Sequence, residues 1–447
     1  MGFWYKPNCP FDEKFSFVSD FYVHLIINGC WPTDGDPKSL SYRICNALYT
    51  LWSCQVIFSL NFTLYAECMY VYENSADLGK VVGNMCLIMI ALMVSLRLLY
   101  FRGDISRMKR LLTMFAEKIW IDSEAHPKAY ERAVRRTKPT FYISLSLWIC
   151  LVLYLLFPII FNLTQGKSPD SNDKPLPFPT VFPYDTQTHW AYIFTYIFLS
   201  YAGYIAVSLF YAMDAILAYF ISFVVGQFEI LHADIARLIP ECHAEWLRRY
   251  GAGAAENGVK LNYLQEMYAK RLHGIAKRHK DIIAFCKELE KFMSFPLFAN
   301  YGTSTFLICF VGFQFMIAGL KSFGDFMRFF MFFMAVTGQL FIVCKLGNLL
   351  ITQSTDTAHY LFACNWEGGY LSKNSPLLLY PDIMELQELN RNLPLWKDLS
   401  YIPANRNFKL KLMFMIMRSN RPVQLSVMQF TVLSLQSFNK VLRIFDY

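Results

Sequence analysis

Long uninterrupted apolar runs, rather than short alternations, organise this chain. Ile44 to Tyr65 is one, and Val81 to Leu96 with Leu98–Phe101 beyond Arg97 is a second. Pro139 to Gly166 and Thr186 to Met213 follow, the latter continuing apolar past Asp214 to Phe228. Phe292 to Leu320, Phe329 to Thr355 across Lys345, and Pro422 to Asn439 with its apolar extension complete the set. A helix crosses the bilayer core in about 20 residues. The pattern therefore predicts an all-α membrane protein with seven transmembrane helices. A β-barrel is excluded, because its strands alternate apolar and polar over about 10 residues.

The fourth of these helices outruns the membrane. Trp190 to Gly226 spans about 54 Å at 1.5 Å per residue, against a bilayer core of about 30 Å. Asp214 and Lys345 then fall at a similar depth near the inner interface, as a pair or as two separate snorkelling side chains. Between the fourth and fifth runs, Leu261, Leu264, Met267, Tyr268, Leu272 and Ile275 recur at helical spacing, with charges on the other face. Leu410, Met413, Phe414 and Met417 repeat the pattern before Pro422. Gly251–Gly258 reads as a flexible break, and Glu367–Asn407, rich in Gly and Pro, as a low-order connection. The chain thus divides into a segment 1–43, spans one to four over 44–230, an amphipathic helical region 231–291, spans five and six over 292–366, a loop 367–407, and a short helix with the last span over 408–447.

Charge gives the direction. Loops 97–138 and 229–291 each hold eleven Lys and Arg, whereas 66–80 holds one and 167–185 holds two. The basic loops belong in the cytosol. The N-terminus is then inside, the C-terminus outside, and Glu67, Glu73 and Asp77 belong to an outer loop. Composition agrees: 55% hydrophobic, 17% charged and 17% aromatic residues in a chain of 447. That excludes a disordered chain. The net charge of +8 is mostly inside-loop bias and implies no nucleic-acid partner. Twelve cysteines are too few for a disulfide scaffold.

No enzyme signature is present: no phosphate-binding loop, no H-E-x-x-H, no C-x-x-C and no G-x-S-x-G. No cofactor or metal is expected. His232 and His243, near Asp234, Glu241 and Cys242, match no standard zinc spacing and read as a solvated helix end. Asn300–Thr303 loosely matches a potassium-filter loop but sits inside an apolar run. Asn162-Leu-Thr164 is a glycosylation sequon at the start of an outer loop.

Four ordered patches carry a likeness to a known family. They are Gln227-Phe-Glu-Ile-Leu231; His279 through Ser294 with Ile308–Gln314; Cys344–Asn348 with Ser354 and Ala363–Trp366; and Phe414–Ser419, Arg421-Pro422 and Leu433–Phe438. With seven spans and an inside N-terminus, the chain resembles the insect odorant receptors. The resemblance implies the ligand-binding subunit of an odorant-gated, non-selective cation channel. It implies a heterotetramer with a common co-receptor subunit, in the plasma membrane of a sensory neuron. Its partners would be a small volatile, permeating cations and the lipid bilayer. Members often continue past the position of Tyr447 in a Tyr-rich tail.

The resemblance also implies a pocket in the outer half, between spans two and six. Such a pocket should be aromatic with few polar groups. Helical spacing nominates Val81, Asn84, Met85 and Ile88 on span two, and Cys150, Tyr154 and Phe157 on span three. Span four offers Trp190, Phe194, Ile197 and Tyr201; span five offers Phe306 and Phe310. Tyr154 and Tyr201 stand out, because a hydroxyl orients a ligand. For a pore lined by span seven, Ser434, Ser437 and Val441 share a face, and Asp446 lies near the outer mouth. The competing classes are a secondary transporter, which would need broken helices or repeats, and a structural membrane subunit with no ligand.

Overall fold

The computed structural model describes residues 4, 19–164, 174–250, 258–318, 323–364, 366, 368–372, 399–428 and 430–443. Eight helices come first: α1 (Ser19–Ile27), α2 (Leu40–Glu73), α3 (Leu78–Gly103), α4 (Ile105–Met114), α5 (Pro127–Thr164), α6 (His189–Tyr250), α7 (Gly258–Ala318) and α8 (Phe323–Ala363). A π-helical turn, Phe115–Ile119, follows α4. Strands β1 (Gly368–Ser372) and β2 (Leu399–Pro403) pair antiparallel, with Tyr370 opposite Tyr401. Helix α9 (Arg406–Ser419), a hairpin of β3 (Ser426–Val427) and β4 (Thr431–Val432), and α10 (Leu435–Leu442) end the described chain.

Six helices among the described residues are long and apolar enough to cross a membrane: α2, α3, α5, α6, α7 and α8. They coincide with the first six apolar runs. Their ends follow local chemistry. Asp77 caps α3 by accepting from the amides of Gly79 and Lys80 at 3.1 and 3.2 Å. Pro127 opens α5, where its missing N–H costs nothing. The α6 and α7 helices run 62 and 61 residues, far beyond a bilayer, so the amphipathic region before span five is one helix with that span. The expected Gly251–Gly258 break falls on 251–257, outside the described residues. Of the 367–407 connection, both ends form the β1–β2 ladder.

The α6 helix is the centre, packing against α5, α7, α8 and α1. Its flanks carry the basic residues that set the orientation argument. Glu229 takes both Arg132, at 2.9 Å, and Arg136; Asp234 pairs with Arg278, and Glu241 with Arg271. Asp214 is buried, but its partner is not Lys345. Arg97 of α3 reaches it at 2.7 Å, and the Gln339 amide of α8 donates to its other oxygen. Lys345 is exposed. A buried carboxylate takes the partner that is buried with it, and Arg97 faces the same core.

The seventh run behaves differently from expectation. Among the described residues, none of 422–434 is helical. Pro422 disfavours helix at the residue before it, and the following backbone groups are satisfied by distant side chains. Val423 N–H donates to Ser354 Oγ at 2.9 Å, Ser426 N–H to Glu290 Oε1 at 3.2 Å, and Met428 N–H to Ser294 Oγ at 2.9 Å. Met428 turns the hairpin at φ 45°. Among the described residues of this run, the helical part is α10, eight residues with about 12 Å of rise.

Candidate functional site

A cavity of about 120 Å³ lies among α2, α3, α5, α6, α8 and the 174–188 connection. Each helix supplies one face at helical spacing. From α5 come Leu147, Cys150, Leu151 and Tyr154, and from α3 Leu87, Ile90 and Ala91. From α6 come Ala202, Gly203, Ala206, Val207 and Phe210, and from α2 Leu60, Thr63 and Glu67. Val336 of α8 and Phe178 of the connection complete the wall. The small α6 residues make the space. A methyl added at Gly203 would press on Leu151 Cδ1 at 2.8 Å and on the Phe178 ring at 3.2 Å.

The connection is tied down over one end. Phe178 stacks on Tyr154 with ring centroids 5.8 Å apart. Val181 N–H donates to Ala66 O at 3.0 Å, and Tyr192 Oη donates to Pro175 O at 3.1 Å. Phe182 packs with Ala66 and Leu199 beneath it. At the other end, Leu147 and Phe210 also wall a smaller cavity of about 20 Å³ that reaches Asp214 and Gln339.

Of the residues expected from sequence, Cys150 and Tyr154 line the cavity. Phe157 lies on the same helix with its side chain outside the described residues. The α6 stripe faces the other way: Trp190, Phe194 and Ile197 are 79%, 68% and 64% exposed. Tyr201 sends its hydroxyl to Gln55 Oε1 at 2.9 Å, away from the cavity. At 3.6 residues per turn this stripe sits opposite Gly203 and Phe210. On α3, Val81, Asn84, Met85 and Ile88 lie about a third of a turn from the lining face. Asn84 is buried and donates instead to Glu67 O at 3.0 Å. No α7 residue lines the cavity; Phe306 is exposed and stacks with Phe310. Sequence reasoning missed the α2 face, Phe178 and Val336. The spacing of Leu60, Thr63 and Glu67 on one helix face was the available signal, whereas Phe178 sits in a Pro-rich stretch with no periodicity.

Among the C-terminal candidates, Ser434 caps α10, accepting from Ser437 N–H at 3.3 Å. Ser437 is buried, donates to Val432 O at 2.6 Å and meets Thr431 Oγ1 at 2.9 Å. Val441 is buried. Within this one chain, Ser434 and Ser437 are engaged in the turn that starts α10, and Val441 packs on the core. Asp446 lies outside the described residues. Asn162 is in the last turn of α5 by its backbone, with its side chain outside the described residues.

The histidine cluster on α6 is not a solvated helix end. His232 is buried, bonds Thr357 Oγ1 at 2.9 Å and stacks on Tyr360. His243 is buried against the Tyr268 hydroxyl. Desolvation pushes both imidazoles down to about 4, and His279 on α7 likewise, there with help from Arg418. Among the described residues, no three His, Cys, Asp or Glu side chains are placed to hold a metal.

Comparison with known proteins gives a consistent picture. The family model described as "7tm Odorant receptor" matches residues 77–445. Odorant receptor 13a of Drosophila melanogaster is 32% identical over 423 residues, covering 94% of this chain and 91% of the relative. Odorant receptor 67a of the same species is 22% identical over 374 residues, covering 80% and 85%. Among solved structures, the insect olfactory receptor OR5 from Machilis hrabei superposes with a TM-score of 0.68 at 14% identity, covering 96% of this chain and 95% of that one. Its complex with eugenol superposes at 0.69. The last two establish the fold.

Proposed function

The chain belongs to the odorant receptor family, a multi-pass membrane protein, and we propose that its α2–α3–α5–α6–α8 cavity is the seat of a small volatile whose binding opens a cation channel. The observation that carries this reading is the cavity itself. It is walled almost wholly by apolar and aromatic side chains, and its volume of about 120 Å³ is of the order of the ~150 Å³ cavity that holds benzene. The Machilis hrabei receptor of the same fold has been solved with eugenol, which supports a volatile as the ligand class.

A ligand shifts a conformational equilibrium only by its differential affinity for the two states. Leu147 and Phe210 are the elements that sense it here. They separate the cavity from the Arg97–Asp214–Gln339 cluster. A ligand that displaces either ring or branch repacks the neighbourhood of that buried pair. From there α8 carries the change to the C-terminal segment, which is held closely: a side chain at Gly347 would run into the backbone oxygen of Leu433. In the assembled channel, copies of the C-terminal segment that carries α10 line the conduction path. The chain acts as the ligand-binding subunit beside a co-receptor subunit, in the plasma membrane of a sensory neuron, with its N-terminus in the cytosol.

The test is a volatile-evoked inward cation current in cells expressing the chain with a co-receptor subunit. Ala202→Trp fills the cavity. Surface expression should persist while the response falls by at least about tenfold, the loss expected when an apolar ligand loses its site. A dose–response unchanged by Ala202→Trp would remove the cavity from ligand binding.

A further inference from the structure

One carboxyl oxygen in the cavity wall is left unpaired among the described residues. Glu67 lies on α2 one helical turn beyond Thr63, is 4% exposed, and lines the cavity. Its Oε2 is buried and has no hydrogen-bond partner among the described residues. Among the described residues, no Lys, Arg or His lines the cavity. Its neighbour Thr63 is committed locally, donating to Ser59 O at 2.9 Å. The α2 segment around it is held in place from outside. Asn84 bonds the Glu67 carbonyl at 3.0 Å, and Val181 bonds the Ala66 carbonyl at 3.0 Å. The backbone of this turn is therefore fixed while the carboxyl is left facing apolar space. Leaving a buried polar atom unmade is costly, so a partner from outside the chain is strongly favoured.

We propose that Glu67 is the polar anchor of this cavity and that its ligands are small alcohols, aliphatic or aromatic. The inference rests on the cavity being the ligand site. Hydroxyl chemistry fits because one O–H can donate to a carboxylate and can accept from a carboxylic acid. It satisfies Glu67 in either state. An ester or ketone only accepts. An ammonium brings three donors into a wall that offers one free acceptor residue, leaving donors stranded in apolar surroundings. The rest of the wall contacts the hydrocarbon part of the ligand, with Tyr154 and Phe178 supplying ring faces.

The experiment compares hexanol and benzyl alcohol with their methyl ethers, amines and parent hydrocarbons on the channel co-expressed with its co-receptor. Wild type, Glu67→Leu, Glu67→Gln and Ala202→Trp are run in parallel, with surface labelling to follow folding. An alcohol is expected to be about tenfold more potent than its ether or hydrocarbon, the scale of one hydrogen bond made in a buried site. Glu67→Leu should erase that preference by weakening the alcohol and sparing the hydrocarbon. Glu67→Gln, which both donates and accepts, should keep most of it. Equal potency across the classes, no response to either alcohol, a preference for the amine, or an alcohol preference that survives Glu67→Leu would each overturn the proposal. Ala202→Trp separates the two levels. If it silences every class while Glu67→Leu changes nothing, the cavity stands and the anchor falls. If it silences none, the cavity reading itself falls, and the anchor with it.

Discussion

Between Ala202 and Phe210, α6 presents Ala202, Gly203 and Ala206 to open space. Between Ile216 and Ile239 the same helix carries Tyr219, Phe220, Phe223 and Phe228, all fully buried. Phe115 of the π-helical turn packs against Tyr219, Phe220 and Phe223 within 5.5 Å between centroids. At Gly226 the approach is closer still, since a methyl there would strike Ile121. One half of the helix is packed like a protein interior and the other is left hollow. Close-packed regions hold position and loosely packed ones yield. The packed half can therefore fix the direction of α6, so that the hollow half keeps its shape without being filled.

That contrast predicts unequal costs for the same kind of truncation. Phe223→Ala should destabilise the receptor by about 3–5 kcal/mol, the range for deleting a buried aromatic. Leu151→Ala only enlarges a space already open and should fall at the low end for a Leu truncation, about 2 kcal/mol. Thermal unfolding of the detergent-solubilised receptor reads both. Equal shifts in the melting temperature would mean that the hollow half is as tightly packed as the other.

Proton linkage should divide the molecule the same way. His232, His243 and His279 all belong to the packed half, and burial holds each near 4 against 6.5 when free. Asp356 and Glu229 oppose the shift at His232, while Arg418 and His232 reinforce it at His279. A folded value below the unfolded one means that the unfolded chain binds more protons between the two. This contribution to stability is therefore complete above about pH 6.5 and is lost as the pH falls toward 4. Each histidine adds a slope of about 1.4 kcal/mol per pH unit inside that window. The melting temperature should fall from pH 7 to pH 5.5, and His243→Phe should flatten the fall. No described histidine lines the cavity, and a hydroxyl satisfies Glu67 in either protonation state, so benzyl alcohol potency should change little over the same range. A melting temperature independent of pH would show that these imidazoles are hydrated.

Much of this was legible in the sequence, and what was not has identifiable causes. Six spans were readable because lipid and core both demand long apolar runs, and α2, α3 and α5 to α8 supply them. The last run misled because its amides are claimed by Ser354, Glu290 and Ser294, residues about 70–135 positions away. No local pattern encodes such partners. Cys150 and Tyr154 were readable as a helix face. Aromatics draw attention to the α6 stripe, yet large side chains fill space and small ones leave it. The hollow is written in Ala202, Gly203 and Ala206. Glu67 was counted among loop acids, because a carboxylate near the end of an apolar run reads as solvent-exposed until the helix is seen to continue to Glu73.

The smallest expected effects separate two tyrosines that the sequence treats alike. Tyr154 lines the cavity and stacks on Phe178. Tyr154→Ala removes a wall and the contact that holds the connection over it. Hexanol potency should fall by about tenfold, consistent with losing an aromatic contact and its buried area. Tyr201 is one position from Ala202, but a step of one residue turns the side chain by about 100°. Its hydroxyl is taken by Gln55 on α2. Tyr201→Ala should cost the fold about 0.5–1.5 kcal/mol for that hydrogen bond and leave the dose–response within about twofold. The pair tests whether the side of α6, rather than the kind of residue, decides what a ligand meets. Should Tyr201→Ala shift potency as far as Tyr154→Ala, the ligand sits on the outer face of α6, and the hollow half serves some other purpose.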